Sequence, residues 1–218
     1  MILIFDLDDT LYDELDYVHS GFNAVSRWGH DKLGIDHDLS YKLMLKLLET
    51  HGRGKIFDLW LRRKYLAKQA VNIYRHHTPQ IELWSEARTV LEGYSGKIPM
   101  YLVTDGHKVV QAKKIEALGI KKYFCRTYIT HQYGIENCKP SIYCFDLIRQ
   151  KEKCNWSDLI YIGDNPGKDF VNLNKCGAKT VRVLTGQHQH VVAKIGYEAN
   201  QRISNLCELP NLLSKGFL

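Results

Sequence analysis

The sequence predicts an α/β protein in which a parallel sheet carries an inserted helical segment. Short β-branched and aromatic runs without strict polar alternation are typical of strands buried on both faces. They occupy residues 1–6, 98–104, 124–130, 159–163 and 180–184. Helical periodicity fills the stretches between them, and strands that alternate with helices favour a parallel sheet. We therefore predict a Rossmann-like, doubly wound core.

The first strand, "MILIFD", is followed by a long block in which strand signals are absent and helical periodicity prevails. Apolar residues form three helical stripes there, and the Gly-rich break "THGRGK" separates the last two. The stripes consist of Val18, Phe22, Val25 and Trp28, then Leu43, Leu47 and Leu48, then Ile56, Trp60 and Tyr65. We predict a helical insert formed by residues 14–79 and a core domain formed by residues 1–13 and 80–218.

The remaining elements follow in order. Ser85 is expected to be the N-cap of the helix that returns the chain to the core. After the second strand, "KVVQAKKIEALGI" has an apolar stripe at helical spacing. The segments "SIYCFDLIRQ" and "GKDFVNLNKCG" predict two more helices, and Gly177 ends the second of them.

The composition is that of an ordinary globular protein, with 44% hydrophobic and 25% charged residues among 218. No apolar run approaches the roughly 20 residues that span a bilayer, and no export signal is present, so we expect a cytoplasmic protein with no membrane partner. The net charge of +6 comes from dispersed groups such as "LRRK". Dispersed charge is typical of a solvated face, so nucleic acid is not expected as a partner, whereas a small anionic substrate is.

Three carboxylates, Asp6, Asp8 and Asp9, crowd the end of the first strand, and Thr10 follows them. Carboxylates this close repel one another unless a cation or hydrogen-bond donors offset their charge. Open α/β sheets bind their ligands at the carboxyl ends of strands, in the crevice at a topological switch point. This stretch therefore predicts a bound cation or donor at that edge.

Other strand ends carry matching chemistry. "YLVTDG" ends the second strand at Thr104, and "CKPSIY" places Lys139 just before a helix. "YIGDNPGKDF" ends another strand at Asp164, with Asp169 five residues further on. We expect these side chains to meet the first strand's carboxylates. Several carboxylates with one hydroxyl and one ammonium suit Mg²⁺ with a phosphate-sized anion beside it.

These segments resemble, in order and spacing, the four motifs of the haloacid dehalogenase-like superfamily over nearly the whole chain. "DLDDT" resembles the D-x-D-x-T/V motif, Thr104 the Ser/Thr motif, Lys139 the Lys motif, and "GDNPGKD" the acidic motif. The helical insert is similar to the cap of one large subgroup. The resemblance implies a Mg²⁺-dependent phosphatase that hydrolyses a small phosphomonoester, a sugar phosphate or a nucleotide, through an aspartyl-phosphate.

The resemblance also implies individual roles. Asp6 would be the nucleophile, and Asp8 would protonate the leaving alkoxide and later take a proton from water. The metal would be held by the carboxylates of Asp6 and Asp164 and the main-chain carbonyl of Asp8. A departing halide needs no proton, so Asp8 favours phosphoryl transfer over dehalogenation.

The phosphate would be bound by the Thr104 hydroxyl, the main-chain N–H of Asp105 and the Lys139 ammonium. Because a carboxylate facing phosphate would weaken binding, we expect the Asp105 side chain to turn away. Asp169 would support the metal shell or orient Lys139.

Two alternatives share the same residues: a phosphomutase of the same family, and a non-catalytic protein that binds a phosphorylated metabolite. In the insert, "THGRGKIF" offers Arg53 and Lys55. This stretch is either a plain turn between helices or a specificity loop that reaches the substrate's leaving group.

Overall fold

The computed structural model describes residues 1–216, and its sheet contains six strands there. They are β1 (Ile2–Phe5), β2 (Met100–Thr104), β3 (Arg126–Ile129), β4 (Leu159–Gly163), β5 (Lys179–Val183) and β6 (Gln201–Ile203). Their order across the sheet is β3-β2-β1-β4-β5-β6, and every neighbouring pair is parallel. The predicted doubly wound parallel sheet is confirmed. The short strand β6 was not predicted.

Five α-helices lie between β1 and β2, and one follows each of β2, β3, β4 and β6, whereas the described chain has only a short 3-10 turn between β5 and β6. The helices are α1 (Glu14–Leu33), α2 (His37–His51), α3 (Ile56–Leu61), α4 (Lys64–His76), α5 (Ser85–Tyr94), α6 (Lys108–Ala117), α7 (Tyr143–Glu152), α8 (Val171–Cys176) and α9 (Leu209–Lys215). The predicted N-cap Ser85 is wrong by one residue. Trp84 holds that position, and the Ser85 hydroxyl donates to the Glu86 carboxylate instead.

The chain divides into two compact units, Met1–Glu14 with Glu82–Leu218, and Leu15–Ile81. Their assignment as a catalytic core and a substrate-gating cap stays a prediction. None of the helices in the described part of the chain is both long and apolar enough to cross a membrane.

In the sheet unit, every residue of β1, β2 and β4 is buried, as their uninterrupted apolar runs predict. The sheet order reverses between β1 and β4, so the switch point lies between those two strands. Asp6 follows β1, Asp164 follows β4, and Thr104 ends β2. The fold thereby brings three predicted site residues to one edge of the sheet.

The helical unit has its own core, in which Val18, Phe22 and Val25 of α1 are buried as predicted. The second stripe is shifted, because Met44 is buried whereas Leu43 is 42% exposed. The third stripe is interrupted after Leu61 by Arg62, which adopts a left-handed conformation with φ 51° and ends α3.

Candidate active site

Three buried carboxylates meet at the switch point. The backbone N–H of Asp6 donates to the Ile162 carbonyl at 2.8 Å, so pairing between β1 and β4 continues to the last residue before the site. Carboxylate oxygens of Asp6, Asp164 and Asp169 all lie within 4.8 Å of one another. The structure therefore brings together the carboxylates that the sequence placed at two strand ends and in the acidic motif.

Lys139 is the cation at the centre of this cluster. Its Nζ lies 2.9 Å from Asp6 Oδ1 and 2.8 Å from Asp169 Oδ1, and it donates to the Tyr161 hydroxyl at 2.8 Å. Burial alone would lower the pKa of Lys139, but the charges of Asp169 and Asp6 raise this pKa well above its ordinary value. The ammonium is therefore charged, and it neutralises part of the carboxylate cluster.

One ammonium does not offset three carboxylates. Burial, opposed by Lys139 and reinforced by Asp169, raises the pKa of Asp6 from 3.8 to about 7. Burial and the charges of Asp169 and Asp6 raise the pKa of Asp164 well above its ordinary value. Oxygen ligands whose ionisation is resisted in this way fit a hard divalent cation, which would supply the missing positive charge.

Asp169 is held at both oxygens. The backbone N–H of Asn165 donates to Oδ2 at 2.9 Å, and the Tyr161 hydroxyl donates to Oδ1 at 3.2 Å, beside the contact of Oδ1 with Lys139. A Cβ on Gly163 would lie 2.7 Å from Asp169 Oδ2, so the end of β4 leaves space for this carboxylate only because it is glycine. These contacts hold the Asp169 carboxylate beside Lys139, and its role in supporting a metal or orienting that ammonium stays a prediction.

Asp8 lies outside that carboxylate group and has partners of its own. Its Oδ1 accepts hydrogen bonds from Lys114 Nζ at 2.7 Å and from the Tyr12 hydroxyl at 2.5 Å, and its Oδ2 accepts from Gln111 Nε2 at 2.8 Å. Burial would raise the pKa of Asp8, but the charge of Lys114 and these hydrogen bonds outweigh it and lower the pKa. The carboxylate is therefore held in one orientation.

Thr104 ends β2, and Asp105 is the next residue. The Thr104 hydroxyl is buried and accepts a hydrogen bond from Gln111 Nε2 at 2.7 Å. The Asp105 carboxylate accepts from Thr130 Oγ1 at 2.7 Å and from the Lys139 N–H at 3.1 Å, and lies 3.2 Å from Lys168 Nζ. Its side chain therefore braces the segments that carry Lys139 and Lys168, while the role of its own N–H stays a prediction.

Sequence reasoning missed several polar side chains at this site, among them Gln111, Lys114 and Lys168. Burial and Lys139 lower the pKa of Lys168, but Asp169, Asp6 and Asp105 together raise it above its ordinary value. Its position inside "GDNPGKD", next to Asp169, was the available signal. The spacing of Gln111 and Lys114, three residues apart, places both on one helix face but does not show that this face is buried.

Arg53 and Lys55 lie between α2 and α3, and both are exposed. Gly52, with φ 69°, ends α2 just before them, and Lys55 precedes α3 without a side-chain cap. The structure assigns both residues to the unit Leu15–Ile81. Any contact with substrate stays a prediction.

Two phosphatases are similar to most of the chain. A glyceraldehyde 3-phosphate phosphatase from Methanocaldococcus jannaschii is 26% identical over 198 residues, which cover 86% of each protein. A glyceraldehyde 3-phosphate phosphatase from Methanopyrus kandleri is also 26% identical, over 86% of this chain and 85% of the relative.

Solved structures share the fold. A haloacid dehalogenase-superfamily hydrolase from Geobacter sulfurreducens superposes with a TM-score of 0.71 at 14% identity, covering 97% of this chain and 95% of that one. A 2-haloacid dehalogenase from Pseudomonas syringae has a TM-score of 0.69 at 20% identity, covering 98% of both chains.

The family itself is shown by a model of haloacid dehalogenase-like hydrolases, which matches residues 3–183. This match, together with the phosphatase relatives, confirms the sequence prediction of that superfamily and of a phosphatase. The chain belongs to the haloacid dehalogenase-like hydrolase family.

Proposed function

We propose that the protein is a Mg²⁺-dependent phosphatase that hydrolyses a small phosphorylated metabolite through an aspartyl-phosphate on Asp6. The observation that carries the proposal is the environment of Asp6: a buried carboxylate 2.9 Å from the Lys139 ammonium and grouped with Asp164 and Asp169. A buried anion among other anions makes a poor structural residue and a suitable nucleophile.

Asp6 and Asp164 would hold the metal, with the main-chain carbonyl of Asp8. When bound, Mg²⁺ supplies positive charge that offsets the repulsion between a carboxylate nucleophile and a phosphate dianion. The choice of Mg²⁺ rests on the all-oxygen donor set, which contains no sulfur or imidazole ligand among the grouped residues.

In the first half-reaction, an oxygen of Asp6 attacks phosphorus, and the bond from phosphorus to the substrate's ester oxygen breaks. Asp8, which is ionised in the free protein, takes the proton of the bound phosphomonoester monoanion and passes it to that departing oxygen. Lys139 and the Thr104 hydroxyl stabilise charge on the phosphoryl oxygens as it develops. Uncatalysed hydrolysis of phosphate monoesters is among the slowest reactions known, so charge neutralisation and positioning must both contribute.

In the second half-reaction, water attacks the phosphorus of the aspartyl-phosphate, and Asp8 takes its proton. Inorganic phosphate leaves and Asp6 is regenerated. Asp8 therefore needs a fixed orientation in both steps, which its three hydrogen bonds supply in this structure.

We propose a sugar phosphate as the substrate, and glyceraldehyde 3-phosphate as the first candidate. The support comes from the two methanogen relatives of that name, whose similarity extends over most of the chain. Nucleoside monophosphates are the other class suggested by a capped site of this family.

The test is a panel of phosphorylated metabolites assayed for phosphate release with Mg²⁺ and with EDTA. The panel contains glyceraldehyde 3-phosphate, glycerol 3-phosphate, hexose phosphates, nucleoside monophosphates and p-nitrophenyl phosphate. The Asp6→Asn variant measures non-enzymatic phosphate loss from the unstable aldehyde. Full activity in EDTA would contradict the metal dependence, and no release from any compound would contradict the phosphatase.

A phosphomutase is distinguished in the same panel. It would convert a sugar phosphate into an isomer without net release of phosphate, which is visible by ³¹P NMR. Binding of the metabolites without either reaction would favour the non-catalytic alternative.

A further inference from the structure

Gln111 and Lys114 lie three residues apart on α6, so their side chains project from the same helix face. Each residue is only 2% exposed. Long polar side chains are seldom buried so completely unless the protein supplies partners for them. Asp8 is the partner that both share.

The hydrogen bonds at Asp8 determine how these donors are arranged. An ionised carboxylate only accepts hydrogen bonds, so the nitrogen of the Gln111 amide must face Asp8 Oδ2. The second N–H of the same nitrogen reaches Thr104 Oγ1 at 2.7 Å. Because the Thr104 hydroxyl is the acceptor in that bond, its own hydrogen remains to be donated elsewhere. Gln111 thus couples the orientation of the Asp8 carboxylate to that of the Thr104 hydroxyl.

Lys114 fixes the other oxygen of Asp8. Its Nζ lies 2.7 Å from Asp8 Oδ1 and 3.3 Å from Glu14 Oε1. The Lys114 side chain is 3% exposed, whereas the Asp8 side chain is 19% exposed. The ammonium is enclosed by protein, and Asp8 is the member of the pair that retains an opening.

We propose that Gln111 and Lys114 are positioning residues that hold Asp8 in the orientation needed for proton transfer to and from the reacting oxygens. This inference rests on the proposed function. The substrate, as its phosphomonoester monoanion, gives its proton to the ionised Asp8 when it binds. As the bond from phosphorus to the ester oxygen breaks and the bond to Asp6 forms, that proton moves from Asp8 to the departing oxygen. When water attacks the phosphorylated Asp6, one proton of the water returns to Asp8.

A purely structural role for these residues makes a different prediction. An ion pair that only supports packing would, when broken, reduce the amount of folded enzyme and slow every substrate equally. A positioning role acts through Asp8, so its loss matters most where the leaving group requires a proton. An alkyl phosphate requires one, whereas p-nitrophenyl phosphate has a leaving group that departs without one.

The experiment compares kcat/KM of Lys114→Met and Gln111→Met with wild type on glycerol 3-phosphate and on p-nitrophenyl phosphate. We expect kcat/KM of each variant to fall about 30-fold for glycerol 3-phosphate and less than about threefold for p-nitrophenyl phosphate. Lys113→Met is the matched control, since it removes the neighbouring, half-buried ammonium of α6. It should change both values by less than about twofold.

A double-mutant cycle supplies a second readout. In the Asp8→Asn background, Lys114→Met should lower kcat/KM for glycerol 3-phosphate by less than about twofold, because the group it positions is already gone. Thermal unfolding checks that each variant is folded. If Lys114→Met does not fold, Lys114→Arg and Gln111→Met carry the same comparison.

The outcomes separate this inference from the proposed function. Equal losses on the two substrates, or a full additional loss in the Asp8→Asn background, would overturn the positioning role while the phosphatase stands. A wild-type protein that hydrolyses neither substrate would overturn the proposed function, and the positioning role with it.

Discussion

At the scale of single residues, the Asp6 carboxylate is in an unusual position, since it is buried and lies near two further carboxylates with Lys139 as the nearby cation. We predict that Asp6→Asn reduces turnover to background, because an amide oxygen cannot form the aspartyl-phosphate. The variant should retain the thermal unfolding midpoint of the metal-free wild type or exceed it, because one anion of a crowded cluster is removed.

Steady-state assay and thermal unfolding of the two proteins side by side check this prediction. If the variant keeps more than about one-tenth of wild-type turnover, Asp6 is not the nucleophile.

The raised pKa values of Asp6 and Asp164 predict how pH affects the metal-free protein. A carboxyl whose pKa is raised on folding, as for Asp6 from 3.8 to about 7, binds its proton more tightly in the folded chain. Its stabilising contribution is complete below the unfolded pKa and is lost as pH rises through the folded pKa. Between these values, the metal-free protein should lose stability as Asp6 ionises, and the raised pKa of Asp164 acts in the same direction.

Mg²⁺ would compete with those protons. We therefore expect the increase in Tm caused by Mg²⁺ to be larger at about pH 8 than at about pH 5.5. Differential scanning fluorimetry with Mg²⁺ or EDTA at each pH measures the difference. Asp164→Asn should abolish most of the increase, and an increase that shrinks with pH would contradict the prediction.

Sequence reasoning placed Asp6, Thr104 and Asp164 at the carboxyl ends of strands, and the structure has all three at one edge of the sheet. It missed Gln111 and Lys114 because polar residues within a helix pattern usually belong to the solvated face. Only the tertiary packing of α6 turns them inward, and no local rule of periodicity contains that information.

At the scale of elements, the loop after β5 is joined to the loop after β1 through Asp9. The Asp9 carboxylate accepts hydrogen bonds from the N–H of Glu14 at 2.9 Å and from that of Gln187 at 3.1 Å. Gly186 has φ +58°, and a Cβ there would overlap the Asp9 side chain. Glycine is therefore required at this position for both its backbone conformation and its small size.

We predict that Gly186→Ala lowers the free energy of unfolding by about 1–3 kcal/mol. Urea denaturation followed by circular dichroism measures the change. Gly93→Ala is the control, since Gly93 lies in α5 and a Cβ added there would meet nothing within 4 Å. The control should raise the stability by up to about 1 kcal/mol. Equal effects of the two substitutions would show that the contact with Asp9 is unimportant.

The pattern of apolar residues predicted the helices and strands well where it fits only one arrangement. It located five of the strands and the helices that alternate with them. It placed the second stripe of the insert on Leu43 rather than Met44, because neighbouring apolar residues on a short helix fit two faces equally well. It overlooked the break at Arg62, since an arginine in a left-handed conformation carries no compositional signal such as glycine would.

At the scale of the whole molecule, the two compact units could divide the work, one binding the variable part of the substrate and the other carrying out phosphoryl transfer. The four motif segments lie in the unit formed by Met1–Glu14 and Glu82–Leu218, and "THGRGKIF" lies in Leu15–Ile81. If the helical unit is the cap that the sequence predicts, it would select substrates by their leaving groups, while the sheet unit would act on the phosphoryl group that all of them share.

Arg53 is the residue through which this separation can be tested. Gly52 and Gly54 flank it, and its guanidinium could make paired hydrogen bonds to sugar hydroxyls, a carboxylate or a second phosphate. We predict that Arg53→Ala lowers kcat/KM for the physiological substrate by about tenfold or more, equivalent to about 1.4 kcal/mol. Hydrolysis of p-nitrophenyl phosphate should barely change, because its leaving group offers few polar contacts.

Arg63→Ala is the matched control, since it removes another exposed cation from the same helical unit. It should leave kcat/KM for both substrates within about twofold of wild type. Equal losses on both substrates for Arg53→Ala would assign this residue to folding or to the shared phosphate site. No loss on either would assign "THGRGKIF" to a plain turn between α2 and α3. Only a loss confined to the physiological substrate supports a helical unit that reads the leaving group, because that is the part of the substrate in which the two compounds differ.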